Sequence, residues 1–205
     1  MRLISFFLLT GICLGCQGQP SSDQLKRQLV GGPCEGCEAV FEGVATSDTD
    51  TLPEFNSGAP QLLLEGTVLD THGEPAENVV VYAYHTNQEG IYPKRDSDSG
   101  WGQRHGYLRG WIKTTADGRY AFYTTRPAGY PNSQAAQHIH ILVLEPDGKY
   151  YYIDPVQFTD DDRLTDSMAR KMGNRGGNGV LTPAKRNGMW VVTRDIILGK
   201  NIADY

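Results

Sequence analysis

The chain has 205 residues, 39% apolar and 21% charged, with a formal net charge of −5. That length suits one domain, and the apolar share supplies a buried core rather than a disordered chain. Gly (24) and Pro (11) are too frequent for a helical bundle, the acidic balance gives no basic footprint for nucleic acid, and no apolar run reaches the roughly 18 residues of a membrane span.

Met1 and Arg2 precede a short apolar stretch that ends at Leu14-Gly15-Cys16 and turns polar at Gln17. Residues 1–15 therefore have the layout of a secretory signal. Their end resembles a bacterial lipoprotein cleavage box, although Cys13 stands where the box usually has Leu. Cys16 is then expected to be the lipidated first residue of an exported periplasmic, outer-membrane or cell-surface protein, touching the membrane only through that anchor. An ordinary signal peptide that happens to hold a cysteine is the other reading. Residues 16–30 read as anchor site and flexible tether, and 31–205 as the folded domain.

Cys34 and Cys37 form a CxxC. A redox pair needs a thioredoxin-like strand and helix around it, and a zinc site needs a second ligand pair; neither is visible. In an oxidising compartment a local disulfide is the expected state.

From residue 61 the periodicity is that of strands. Gln61–Leu69, Val79–Tyr84, Arg119–Thr124, Ile139–Leu144 and Met189–Leu198 carry alternating or β-branched and aromatic runs, bounded by turn clusters such as Asp70–Pro75 and Ala116-Asp-Gly118. With one short helix expected over Arg163–Met172, the pattern predicts an all-β, antiparallel β-sandwich. The stretch from Gly66 through Tyr82 to Phe122 resembles the transthyretin-like sandwich, a module that often does no chemistry. A non-enzymatic surface binding module is thus one reading of the chain.

His138-Ile-His140 carries the other. Side chains at i and i+2 of a strand leave the same face about 6.5–7 Å apart, close enough for two imidazoles to share a metal. Imidazole suits several transition metals, so the pair does not name its ion. Two satisfied histidines at a strand end are the bland alternative.

In chain order the sequence then shows Gly90-Ile-Tyr92, Tyr107-Leu-Arg-Gly110, Pro127-Ala-Gly-Tyr130-Pro131 and His138-Ile-His140. That succession resembles the intradiol ring-cleavage dioxygenases, the catechol 1,2- and protocatechuate 3,4-dioxygenase family, from about Leu62 to Asp161. The resemblance implies a β-sandwich holding one non-haem Fe(III) with Tyr92, Tyr130, His138 and His140 as ligands. It also implies cleavage of a small aromatic diol by O2 to a muconate-type diacid, with Tyr130 the ligand that leaves and takes a proton. Phenolate oxygen suits a hard ferric ion, and a phenol of pKa about 10 ionises near neutrality only with the metal's help.

The sequence departs from the family in three places. The family arginine three residues before the first histidine is Ala135 here; Arg109, Arg126 and Gln137 are the candidates to contact substrate instead. Where the family has a Thr-Gln pair after the histidine strand, Tyr152-Ile-Asp-Pro-Val-Gln157 offers only the Gln. The helical N-terminal segment of catechol 1,2-dioxygenases has a tether and the CxxC in its place. Elsewhere His85 reads as packed or capped, His72 and His105 as solvated, and Asp160–Asp162 as solvated surface. Gly173–Gly179 reads as a flexible loop near the mouth of the site, and Trp190 as core.

Overall fold

The computed structural model describes residues 26–205; the expected signal segment and Cys16 lie outside them. The described elements are β1 (Gln28–Leu29), a 3₁₀ turn (Cys37–Phe41), β2 (Thr49–Thr51), β3 (Gln61–Leu69), β4 (Val80–His85), α1 (Gly102–His105), β5 (Arg109–Lys113), β6 (Arg119–Thr125), β7 (His138–Leu144), β8 (Lys149–Phe158), α2 (Asp166–Lys171), β9 (Val180–Leu181), β10 (Ala184–Arg186), β11 (Met189–Thr193) and β12 (Ile196–Ile197). They form two facing sheets. One has the order β1-β8-β7-β4-β5 with β9 beside β8, the other β10-β11-β3-β6-β2 with β12 beside β3.

The long ladders, β3/β6, β4/β5, β4/β7 and β7/β8, are antiparallel as expected. The short pairings β1/β8, β2/β6, β3/β11, β3/β12 and β8/β9 are parallel, so both sheets are mixed. β1 also places Gln28 and Leu29, expected in the tether, beside Lys149 and Tyr150. The expected helix over 163–172 shortens to α2, whose Thr165 hydroxyl accepts from the Met168 amide.

Alternation sorts the side chains into two apolar bodies. Leu62, Leu64, Val81, Phe122, Ile139, Ile141, Val143, Tyr151, Val156 and Phe158 meet between the sheets. On the far face of the first sheet, Tyr82, Leu142, Tyr84, Trp111 and Tyr152 pack beneath Cys37, Ala39 and Val40. A sandwich usually gives that outer face to water; here the chain around the 3₁₀ turn covers it, and the Trp111 indole N–H donates to the Ala39 carbonyl (3.0 Å). Cys34 and Cys37 are disulfide-bonded, closing a four-residue loop at the start of this cover.

One irregularity bears on function. Ile139 pairs with Val156, but Ile141 pairs with Ile153, so Asp154 and Pro155 together face His140 alone. This is a β-bulge, placed where Pro155 has no N–H to give the ladder. Inward-facing residues of β8 accordingly switch from Tyr151 and Ile153 to Val156 and Phe158. The loop expected near the site's mouth packs instead on this bulge: the Arg175 amide donates to Asp154 Oδ2 (3.1 Å) and its guanidinium to the Tyr152 and Gly31 carbonyls.

Candidate metal centre

β7 carries His138 and His140 to one end of the first sheet's outer face, and two loops bring tyrosines to them. The first loop leaves β4 through a turn in which Asn87 Oδ1 accepts the Glu89 and Ile91 amides (3.0 and 3.1 Å), aiming Tyr92 back at the sheet. The second follows β6 and holds Tyr130. They dock backbone to backbone: the Ala128 amide donates to the Asn87 carbonyl (3.1 Å) and the Thr86 hydroxyl to the Ala128 carbonyl (2.6 Å). Gly90, at φ 74, makes this approach possible, because a Cβ there would lie 2.2 Å from the Gly129 carbonyl oxygen.

The four side chains expected from the sequence converge. The Tyr92 and Tyr130 phenol oxygens are 2.6 Å apart, Tyr130 Oη is 3.2 Å from His138 Nε2, His138 Nε2 is 3.1 Å from His140 Nε2, and His140 Nε2 is 3.0 Å from Tyr92 Oη. The ring's edges average about 3 Å, and the centre of a square of that edge lies about 2.1 Å from each corner, a typical metal–nitrogen or metal–oxygen bond length. The histidine chemistry agrees. His138 Nδ1–H donates to the Ala136 carbonyl (2.7 Å), which leaves Nε2 as a lone pair facing the ring centre. Burial lowers the pKa of both histidines, that of His140 to about 3, so both stay neutral as ligands must. Burial also raises the Tyr92 phenol, with the Tyr130 hydroxyl adding to the shift, so only a nearby cation would ionise it. The donor set fits a hard trivalent ion.

A cleft of about 350 Å³ opens beside the ring, lined by Tyr84, Trp101 and His105 as well as Tyr92, Tyr130 and His140. Glu35 and Arg104 pair across its mouth (2.7 Å) with both side chains largely in water. These wall residues were not anticipated. His105, expected in solvent, is 5% exposed, because it stacks face to face on Tyr84 (3.8 Å). A signal for Tyr84 was present: alternation along β4 puts it directly across from His140 in the β4/β7 register.

The three candidate substrate contacts do not line this cleft. Arg126 gives Nε to Gln137 Oε1 (2.8 Å) and both terminal nitrogens to Asp160 (2.8 and 2.6 Å), so Arg126 and Gln137 hold each other. Arg109 donates to Glu42 (2.6 Å) and lies over the Trp111 ring, one layer behind. Ala135 offers no charge, and its carbonyl faces Gly129. His85 is fully buried and satisfied, with Nδ1 on the Thr86 carbonyl (2.7 Å) and Nε2 on the Thr124 hydroxyl (2.6 Å). Asp160 and Asp161 are engaged by Arg126 and by the Gln137 amide rather than merely solvated. Trp190 packs against the core from a partly buried position, under the Arg126 guanidinium.

Residues 38–175 match a family model described as "Dioxygenase". Catechol 1,2-dioxygenase 1 of Acinetobacter lwoffii is 36% identical over 106 residues, half of this chain and 32% of that relative. Hydroxyquinol 1,2-dioxygenase of Nocardioides simplex is 25% identical over 197 residues, 76% of this chain and 65% of that relative. This chain thus spans 32% and 65% of the length of these two curated relatives. The crystal structure of catechol 1,2-dioxygenase from Pseudomonas arvilla C-1 shares the fold at a TM-score of 0.60 and 19% identity, covering 84% of this chain and 61% of that one. The dioxygenase domain of a carbohydrate-binding fusion from Streptomyces sp. SirexAA-E does so at 0.54 and 18%, covering 77% and 94%.

Proposed function

Because the chain belongs to the intradiol ring-cleavage dioxygenase family, we propose that it is an exported non-haem Fe(III) dioxygenase that opens a catechol-type ring to a muconate-type diacid. The observation that carries this reading is the closed ring of Tyr92, Tyr130, His138 and His140 donor atoms at the floor of an aromatic cleft. The reaction breaks the bond between the two hydroxylated carbons and adds both atoms of O2, so it balances without an external reductant. The Cys34–Cys37 disulfide supports export, because such bonds persist outside the reducing cytosol; the Cys16 anchor rests on sequence alone.

Ferric iron held by Tyr92, Tyr130, His138 and His140 would supply Lewis-acid activation of the diol toward O2. The remaining work belongs to the chain. Tyr92 and the two neutral imidazoles keep their donor atoms fixed, His138 through its Ala136 hydrogen bond. Tyr130, which the family resemblance marks as the departing ligand, would offer its phenolate oxygen to accept a diol proton. Tyr84, Trp101 and His105 line the cleft beside the ring and thin the water there.

The test is colour followed by turnover. Tyrosinate bound to Fe(III) absorbs visible light, so the iron-loaded protein is expected to be reddish, and Tyr92→Phe and Tyr130→Phe to alter or bleach the band. Oxygen uptake with catechol is expected to vanish in His140→Ala. A colourless iron-treated protein, or a His140→Ala variant that consumes oxygen normally, overturns the assignment.

A further inference from the structure

His138 and His140 are held in different ways. His138 has the hydrogen bond from Nδ1 to the Ala136 carbonyl that commonly orients a ligand imidazole. Among the described residues His140 has no hydrogen bond at Nδ1; its polar contacts are all made by Nε2. The second torsion of a histidine side chain is broad, so the rotamer alone does not aim that ring.

A column of rings does. His140 lies on Tyr84 (centroids 4.5 Å, planes 12° apart), Tyr84 on His105 (3.8 Å, 7°), and His105 on Trp101 (5.4 Å, 27°). His105 is confined at its edges too. Its Nδ1 is 2.9 Å from the Tyr82 hydroxyl, and Nε2 faces Gly36, where a Cβ would lie only 2.6 Å away. Gly36 sits at φ 88 inside the loop closed by the Cys34–Cys37 disulfide. Two ring faces and two ring edges are therefore occupied, and the imidazole acts as a wedge between the covering loop and Tyr84.

We propose that His105 is a positioning residue, which through Tyr84 sets the plane of the His140 ring and so the direction in which its Nε2 lone pair meets the iron. This rests on the site reading above. A lone pair in the imidazole plane bonds a metal well only when the plane contains the ion. Loss of the wedge lets the His140 ring turn, and loss of outer support of this kind typically weakens metal binding 10–100-fold.

The experiment measures Fe(III) affinity, by competition with a chelator, and the visible band of the full folded chain. His105→Leu keeps bulk but removes the flat face; iron binding is expected to fall about tenfold, with a shifted or broadened band. His105→Phe restores a flat face and is expected to return affinity to within about threefold of wild type, a rescue that a purely structural role for the imidazole hydrogen bond does not give. Gly36→Ala, which pushes a methyl into Nε2, is expected to weaken iron binding in the same direction and is read alone if His105→Leu does not fold. Wild-type affinity and spectrum in the Leu variant, or in Gly36→Ala, overturns the positioning role while leaving the iron site intact. A wild-type protein that binds no iron and shows no band overturns the site reading itself.

Discussion

Acid is expected to unfold the metal-free protein early, and His85 supplies a calculable part of the effect. Its side chain has no exposed surface, and burial lowers its pKa to about 4 against the opposing hydrogen bond to the Thr86 carbonyl. The unfolded side chain titrates near 6.5. Below that pH the unfolded state binds a proton that the folded state refuses, so stability is intact above about pH 6.5 and falls as pH drops towards 4. The loss from this one group is about 2 kcal/mol at pH 5, approaching about 3.4 kcal/mol well below pH 4. Urea unfolding of wild type and His85→Gln at pH 7 and pH 5 isolates it, since carboxylate contributions cancel in the comparison. Wild type is expected to lose about 2 kcal/mol more than the variant between those values. Equal losses would refute the idea that this histidine is held neutral. The site feels the same event: Thr86, next in the chain, holds the Ala128 carbonyl and with it the turn that carries Tyr130.

Three further outcomes follow from particular contacts. Replacing Cys34 and Cys37 together by Ser opens a four-residue loop, which the chain-entropy argument values at about 2 kcal/mol; calorimetry should show a Tm lower by about 4–8 °C. Gly90→Ala sets a methyl against the Gly129 carbonyl and parts the two tyrosine loops, so iron affinity is expected to drop more than tenfold by chelator competition even in preparations that remain folded. Arg126→Met is expected to cost about 1–2 kcal/mol of stability through its lost bonds to Asp160 and Gln137, with KM for catechol unchanged; a tenfold rise in KM at unchanged Tm would return Arg126 to the substrate.

What could be read from the chain follows the range of the forces involved. Alternation with period two is local, so β3, β4, β6 and β7 emerged within a residue or two, and His138 and His140 fell on one face. β8 went unread because Asp154-Pro155 breaks its pattern, yet that break is the bulge opposite His140. β5 is five residues with a glycine and gave too little signal. Tyr92 and Tyr130 were indicated by family resemblance alone, since the contact joining their loops is between the backbones of Asn87 and Ala128, far apart in sequence. The substrate wall was the least legible part. Gly102-Gln-Arg-His-Gly106 is a polar string, and the burial of His105 comes from Tyr84 and Trp101, which approach it only in the folded sheet.

The covered outer face also bears on which ion the proposed site would select. Among the four donors, burial holds the imidazoles uncharged and makes the Tyr92 phenol harder to ionise than in water. The metal-free ring is thus four neutral groups facing one another, with two imidazole nitrogens 3.1 Å apart and too few protons to satisfy every contact well. A monovalent cation gains little there, because it cannot compensate for ionising two phenols in a dry wall. A trivalent ion can: two phenolates reduce its charge to +1, and the low dielectric that opposed ionisation then strengthens each oxygen–metal attraction. On this argument the aromatic column of Tyr84, His105 and Trp101 would contribute to the selectivity of the proposed metal site. Removing the segment before residue 38 would open that wall, and iron affinity measured on the folded truncated chain is expected to fall below that of wild type; an unchanged affinity would refute the argument.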